Sequence, residues 1–169
     1  MTGALARLDR ESLHLLRTRW HAPALERAAI VYTTLGEYGA IWLAGALSGA
    51  ALDPPRRRAW VRAAALVPGA LAVNALVKRG VRRERPSLPA LAPLVRRPTS
   101  LSFPSGHAAT AFAGAVAIGA LVPAIEAPLV GAAALMALTR PYLGLHYPSD
   151  VAAGALLGAV LGTAFARLR

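Results

Sequence analysis

The chain has 169 residues, 56% of them hydrophobic, with 19 Lys+Arg against 8 Asp+Glu and no cysteine. That length suggests a single domain, residues 1–169. The missing cysteines exclude disulfides and thiolate metal sites, and the apolar content exceeds the roughly 45–50% of ordinary soluble domains. The formal charge of +11 calls for an anionic partner such as phospholipid headgroups, phosphate esters or nucleic acid. The cations flank apolar segments and few aromatics are interleaved with them, which sets nucleic acid aside.

Taken in chain order, residues 4–20 read as an amphipathic helix suited to the membrane interface. Leu5, Leu8, Leu13, Leu15, Leu16 and Trp20 fall on one broad face, and Arg7, Arg10, Glu11, His14 and Arg17 opposite, with Asp9 and Arg19 intruding on the apolar side. Packing of this helix on the rest of the protein is the competing reading. The N-terminus lacks the apolar core of a cleavable leader. Residues 24–52 form the first spanning segment, in which Gly36 and Gly39 allow a bend, and Asp53-Pro54-Pro55 ends it. Residues 59–78, 106–122, 127–139 and 149–167 form four more. A loop over 79–105 holds five prolines and many arginines, and a second runs over 140–148. The expected fold is all-α: an integral-membrane bundle of about five transmembrane helices, with residues 1–22 as an interfacial helix. Several segments fall short of the roughly 20 residues of a full span, as expected of helices that end at a polar cavity. Gly45 and Gly49, and Gly154, Gly158 and Gly162, recur at fourfold spacing, a pattern of close helix contact. Intramolecular packing is the favoured reading, and a homo-oligomer seam the other.

Three polar clusters interrupt this chain, each at a helix end: Lys78 to Pro86, Pro104 to His107, and Thr139-Arg140 with His146 and Asp150. With five crossings all three meet on one membrane face. Lys78, Arg85 and Arg140 supply cations, and arginine donates in forks that suit phosphate oxygens. Ser105 and Gly106 precede a helix start, where backbone amides and the dipole favour an anion. Asp150, four residues after His146, can fix its tautomer and leave the other ring nitrogen free to attack. His107 can protonate a leaving oxygen. A phosphohistidine would form on His146 and water would release phosphate, in a scheme that needs no metal ion and no cofactor. Glu37, an ionisable residue within a spanning segment, and Asn74, one turn before Lys78, are further candidates. Arg79, Arg82, Arg83, Arg96 and Arg97 read as headgroup contacts, and His14 and His21 as surface residues.

These clusters resemble the type 2 phosphatidic acid phosphatase (PAP2) superfamily, whose pattern is Lys-x6-Arg-Pro, Pro-Ser-Gly-His and Ser-Arg-x5-His-x3-Asp. Lys78 and Arg85-Pro86, Pro104 to His107, and Arg140, His146 and Asp150 match it in spacing, and Thr139 stands where the family usually has serine. The resemblance covers about residues 59–167, the motif-bearing core. It implies phosphate binding by Lys78, Arg85, Ser105, Gly106 and Arg140, with His107 as acid, His146 as nucleophile and Asp150 as its partner. The expected activity is hydrolysis of a lipid phosphomonoester or diphosphate: polyprenyl diphosphate, phosphatidylglycerophosphate, phosphatidic acid or polyprenyl-phosphoribose phosphate. Size and an Ala/Arg-rich make-up look like the small actinobacterial members, the decaprenylphosphoryl-5-phosphoribose phosphatase type among them. Rival readings are a vanadate-dependent haloperoxidase-like enzyme, which the hydrophobicity opposes, and a non-catalytic lipid-phosphate binding or transport protein, which the intact histidines oppose. The resemblance also implies a bacterial cell (inner) membrane with the site on the extracytoplasmic side, although arginines on the site face pull that face toward the cytoplasm.

Overall fold

Proline and glycine divide the apolar chain into helices. In the computed structural model residues 3–19, 21–88, 91–96 and 101–168 are described, and they form seven α-helices. These are α1 (Gly3–Thr18), α2 (Pro23–Leu35), α3 (Ala40–Leu52), α4 (Arg57–Val81), α5 (Gly106–Leu121), α6 (Glu126–Tyr142) and α7 (Pro148–Leu168). Prolines open α2, α7 and the single 3-10 turns before α4 and α6, where the missing N–H costs nothing. Ser105 caps α5 by accepting from the Ala108 amide at 3.4 Å.

The expected first span is two helices. A 3-10 turn at Glu37–Gly39 separates α2 from α3, with Tyr38 at φ 52° and Gly39 at φ 76°. A Cβ on Gly39 would stand 2.4 Å from Val67 Cγ1, so only glycine fits the crossing. The end of α6 is also shifted. It runs three residues past the expected 139, which puts Arg140 on the helix and shortens the following loop.

α5 is the central element, with alanines 108, 109, 111, 113, 115 and 117 fully buried. Such small residues let neighbours approach closely, and α7 does so with its glycine stripe. A Cβ on Gly154 would lie 2.3 Å from the Ser105 carbonyl oxygen, on Gly158 2.2 Å from that of Ala109, and on Gly162 2.7 Å from Val116 Cβ. The stripe is therefore an intramolecular seam. Gly49 serves the same purpose against the Trp60 ring. The main core joins Trp42, Trp60, Val67, Ile118 and Met136 from α3, α4, α5 and α6.

The segments Pro54–Val81 and Pro148–Leu168 are long and apolar enough to cross a bilayer, with mean hydropathies of 1.6 and 1.7, and α5 is a shorter apolar helix. The outside of the bundle is apolar: Leu47, Val61, Leu76, Leu135, Leu138, Leu156 and Val160 are all exposed. A surface of that kind matches a lipid solvent.

The inward stripe of α1 is Asp9, Leu13 and Arg17, one residue per turn, while Leu5, Leu8 and Leu15 are exposed. Asp9, which the helical wheel placed among the apolar residues, is buried, and Arg17, which it placed on the polar face, turns inward with it. Arg17 donates to the carbonyls of Tyr142 (3.2 Å) and Ala92 (2.7 Å), so it anchors α1. Trp20 lies outside the described residues. His21 is not a loose surface residue. It stacks on Tyr142 at 4.3 Å and bonds Glu26 and the Leu16 carbonyl, each at 2.8 Å. His14 is exposed, as expected.

Candidate active site

Five helix ends or breaks converge on one cavity of about 330 Å³. The C-terminal turn of α4 brings Lys78 and Asn74, and the extended segment after it brings Arg85. The first turn of α5 brings Gly106 and His107, the last turn of α6 brings Arg140, and the loop before α7 brings His146. The break between α2 and α3 closes the list with Glu37 and Tyr38. Eight expected residues thus line one cavity. Ser105 and Asp150 stand just behind it, both fully buried.

The histidines differ in their partners. His146 Nε2 lies 2.9 Å from Arg85 Nη1. A guanidinium can only donate, so Nε2 presents its lone pair and the ring proton sits on Nδ1. That proton points toward Asp150 Oδ2, 3.6 Å away. The separation is beyond a hydrogen bond, so Nδ1 and Asp150 are neighbours one small movement short of pairing. His146 is almost fully buried. Burial, then the charges of Arg85, Arg140 and Lys78, hold its pKa well below the usual histidine value. The imidazole is neutral, as a nucleophile requires.

His107 Nε2 is 3.1 Å from the Thr33 carbonyl oxygen and 3.4 Å from Arg140 Nη1. The carbonyl only accepts, so the shorter contact puts a proton on Nε2. Thr33 also holds Arg140, whose Nη1 donates to its hydroxyl at 2.6 Å. Thr33 escaped the sequence reading. It is buried in the last turn of α2, and no spacing in the sequence links it to His107 or Arg140.

Lys78 donates to the carbonyls of Leu101 (3.2 Å), Ser102 (3.3 Å) and Pro104 (3.1 Å). Its three N–H donors are thereby occupied, and its contribution to the cavity is charge. Asn74 shares the Pro104 carbonyl, donating at 3.2 Å, so Asn74 and Lys78 together brace the loop that leads into α5. The Ser105 amide is spent on the Asp150 carbonyl at 2.9 Å, which ties the start of α5 to the start of α7. Gly106 lines the cavity beside Asn74, where a Cβ would stand 3.4 Å from Asn74 Oδ1, at ordinary contact distance.

Arg83 turns inward. Its guanidinium donates to Asp150 Oδ1 and to Asp9 Oδ2, each at 2.8 Å, and lies 4.0 Å over the Tyr147 ring. The expected headgroup role is thus replaced by a buried ion-pair network. Arg79, Arg82 and Arg96 are exposed, and Arg97 lies outside the described residues. Glu37 and Tyr38 are exposed at the mouth, and Glu37 is the acidic side chain among the lining residues.

A cavity with three cationic side chains, a neutral histidine lone pair and a proton-bearing histidine can bind a phosphate ester, attack it and protonate what leaves. Comparison with known proteins identifies the family. Residues 59–169 match the model of the PAP2 superfamily. The decaprenylphosphoryl-5-phosphoribose phosphatase of Mycobacterium tuberculosis is 44% identical over 144 residues, 83% of this chain and 78% of the relative. That of Mycolicibacterium smegmatis is 41% identical over 136 residues, 78% of this chain and 72% of the relative. The fold matches the transmembrane PAP2-type phosphatidylglycerolphosphate phosphatase of Bacillus subtilis at a TM-score of 0.81, with 23% identity, covering 99% of this chain and 87% of the other. It also matches Aquifex aeolicus LpxE at 0.73, with 24% identity, covering 95% of each chain.

Proposed function

Since this chain belongs to the PAP2 superfamily and is a lipid phosphatase, we propose that it removes the terminal phosphate from a polyprenyl-linked sugar phosphate through a phosphohistidine on His146. The observation that carries the mechanism is the pairing of His146 Nε2 with a donor-only partner, Arg85 Nη1, at 2.9 Å. When substrate enters, its phosphate oxygens take that donor and free the lone pair. Nε2 then forms a bond to phosphorus and the ester P–O bond breaks. His107, charged as an imidazolium beside the bound phosphate dianion, hands its Nε2 proton to the leaving oxygen and becomes neutral. Water next attacks phosphorus and gives a proton back to His107. The P–N bond breaks and phosphate departs. Arg85, Arg140 and the Lys78 charge stabilise the charge that develops on the equatorial oxygens.

The substrate class rests on the mycobacterial relatives, which act on decaprenylphosphoryl-5-phosphoribose. The exposed Glu37 and Tyr38 at the mouth support it, because a carboxylate beside a phosphate site suits the hydroxyls of a sugar better than a second phosphate. The membrane reading is five crossings, with α2 and α3 making the first and α1 lying in the interface, in a bacterial cell membrane with the cavity outside the cytoplasm. Arg17, Arg83, Arg85 and Arg140 are tied into internal contacts, which removes them from the charge count that pulled the site end inward.

The test is phosphate release in detergent with EDTA present. The panel is a polyprenyl-phosphoribose phosphate, a polyprenyl diphosphate, phosphatidylglycerophosphate and phosphatidic acid, with His146→Ala alongside. Release by the parent, fastest from the sugar phosphate, and a loss of about 10⁴-fold or more in the variant are expected of a removed nucleophile. Equal release by the variant would overturn the nucleophile, and a faster diphosphate would overturn the substrate.

A further inference from the structure

Asp9 lies on the face of α1 where an apolar residue is expected, with 3% of its surface exposed. A carboxylate is left in such a place only if it is well partnered. Its partners all belong to the catalytic end of the molecule. Asp9 Oδ1 accepts from the Ser149 amide at 3.0 Å, and Oδ2 from the Ser149 hydroxyl at 2.5 Å and Arg83 Nη2 at 2.8 Å. Burial raises its pKa, but the bonds from Ser149 and Arg83 outweigh burial and leave it below the usual carboxylate value.

Two consequences follow for Asp150. Ser149 is the second residue of α7, so Asp9 satisfies one of the open amides at the start of that helix and brings negative charge to its positive end. The residues before it, Tyr147 and Pro148, offer no capping side chain. Asp9 therefore caps in trans the helix whose third residue is Asp150. Arg83, in turn, is stretched between two carboxylates. One nitrogen goes to Asp9, and the other donates to Asp150 Oδ1 at 2.8 Å and to the Ser149 hydroxyl at 2.7 Å. The Tyr147 amide holds Asp150 Oδ2 at 2.9 Å. Both Asp150 oxygens are thus fixed, and Oδ2 is aimed at His146 Nδ1.

We propose that Asp9 is a positioning residue for the hydrolysis: through Arg83 and Ser149 it sets the Asp150 carboxylate beneath His146, making the N-terminal helix part of the active-site apparatus. The proposal rests on His146 being the nucleophile. Arg83, which the motif pattern does not include, is the middle member of the chain Asp9–Arg83–Asp150–His146.

The test compares parent, Asp9→Asn, Asp9→Glu, Leu8→Ala and His146→Ala, purified in detergent, with dioctanoyl phosphatidic acid as the turnover probe. Binding-competent sites are counted by titration with orthovanadate, a phosphate mimic, so that misfolded protein does not enter kcat. Asp9→Asn keeps the shape but weakens the hold on Arg83. Its kcat per titrated site should fall about 10- to 100-fold, as for a lost supporting contact or a small misplacement. KM should stay within about twofold, since phosphate contacts are untouched. Asp9→Glu, which keeps the charge, should recover part of the loss, and Leu8→Ala, on the exposed face of the same helix, should match the parent. Unchanged kcat per site in Asp9→Asn, even with lowered thermal stability, would reduce Asp9 to a folding staple and overturn the proposal. Turnover by His146→Ala equal to the parent would instead overturn the nucleophile on which it rests.

Discussion

His146 Nε2 and His107 Nε2 are the same atom in opposite states, because one faces a donor and the other an acceptor. Arg85 sets the first and the Thr33 carbonyl the second. Such assignments belong to single residues, and so do their predictions. Thr33→Val keeps the shape and removes the hydroxyl that holds Arg140 at 2.6 Å. A hydrogen bond to a charged group contributes about 1.5–3 kcal/mol, so kcat/KM for lipid phosphate should drop about tenfold or more. An unchanged kcat/KM would show that Arg140 needs no fixing. The buried, neutral His146 also links stability to pH. Its folded pKa is depressed, so below its ordinary 6.5 the unfolded chain binds a proton that the folded chain refuses. Stability is then lost as pH falls from 7 to 5. The midpoint of thermal unfolding of the ligand-free protein should fall over that range, and His146→Gln should flatten the fall. An equally steep fall in the variant would assign it to other groups. Asp9, whose pKa is lowered, adds stability that is present above the ordinary carboxylate value and lost below it, at more acid pH.

At the scale of elements, the site depends on how closely α5 and α7 approach. Their contact joins the Ser105 amide to the Asp150 carbonyl at 2.9 Å, and so sets His107 against His146. Gly158 is the tightest point of the seam, where a Cβ would stand 2.2 Å from a carbonyl oxygen on α5. Backbone cannot move aside as a flexible side chain can. Gly158→Ala should therefore cost about 1–3 kcal/mol, the range for overpacking, measured by thermal unfolding in detergent, and activity should fall with it. Full stability in this variant would show that the two helices can part freely. The glycine spacing was legible in the sequence, as were the four helices that begin near residues 59, 106, 127 and 149. The break in the first span was only half legible. Gly36 and Gly39 signalled a bend, but a wheel cannot show that Tyr38 also takes a positive φ or that Val67 crowds Gly39.

For the molecule as a whole, orientation in the bilayer decides which compartment supplies the substrate. The chain has no cysteine, so single-cysteine reporters carry no background. Tyr38 is exposed at the cavity mouth, and Arg58 is exposed in the cluster after Pro55 at the start of α4, the end of the bundle away from the site. With the cavity outside the cytoplasm, Tyr38→Cys should react with a membrane-impermeant maleimide in intact cells and Arg58→Cys only after lysis. The reverse pattern would turn the protein over in the membrane.

The sequence by itself determined the helical class, the apolar exterior and most of the residues that line the cavity, because these follow from local composition and from spacings within single motifs. Lys78, Arg85, Gly106, His107, Arg140 and His146 needed no coordinates to be placed at one site. The tertiary structure alone decided how those groups are held. Thr33, Arg83 and Asp9 lie 74, 67 and 140 positions from the residues they support at His107, Asp150 and Ser149, and no periodicity connects partners so distant. A buried carboxylate on the wrong side of an amphipathic helix looks like a flaw in the pattern until packing supplies its donors. That is why Asp9 read as an imperfection in the sequence and Arg17 as part of the polar face, while both are anchors in the fold.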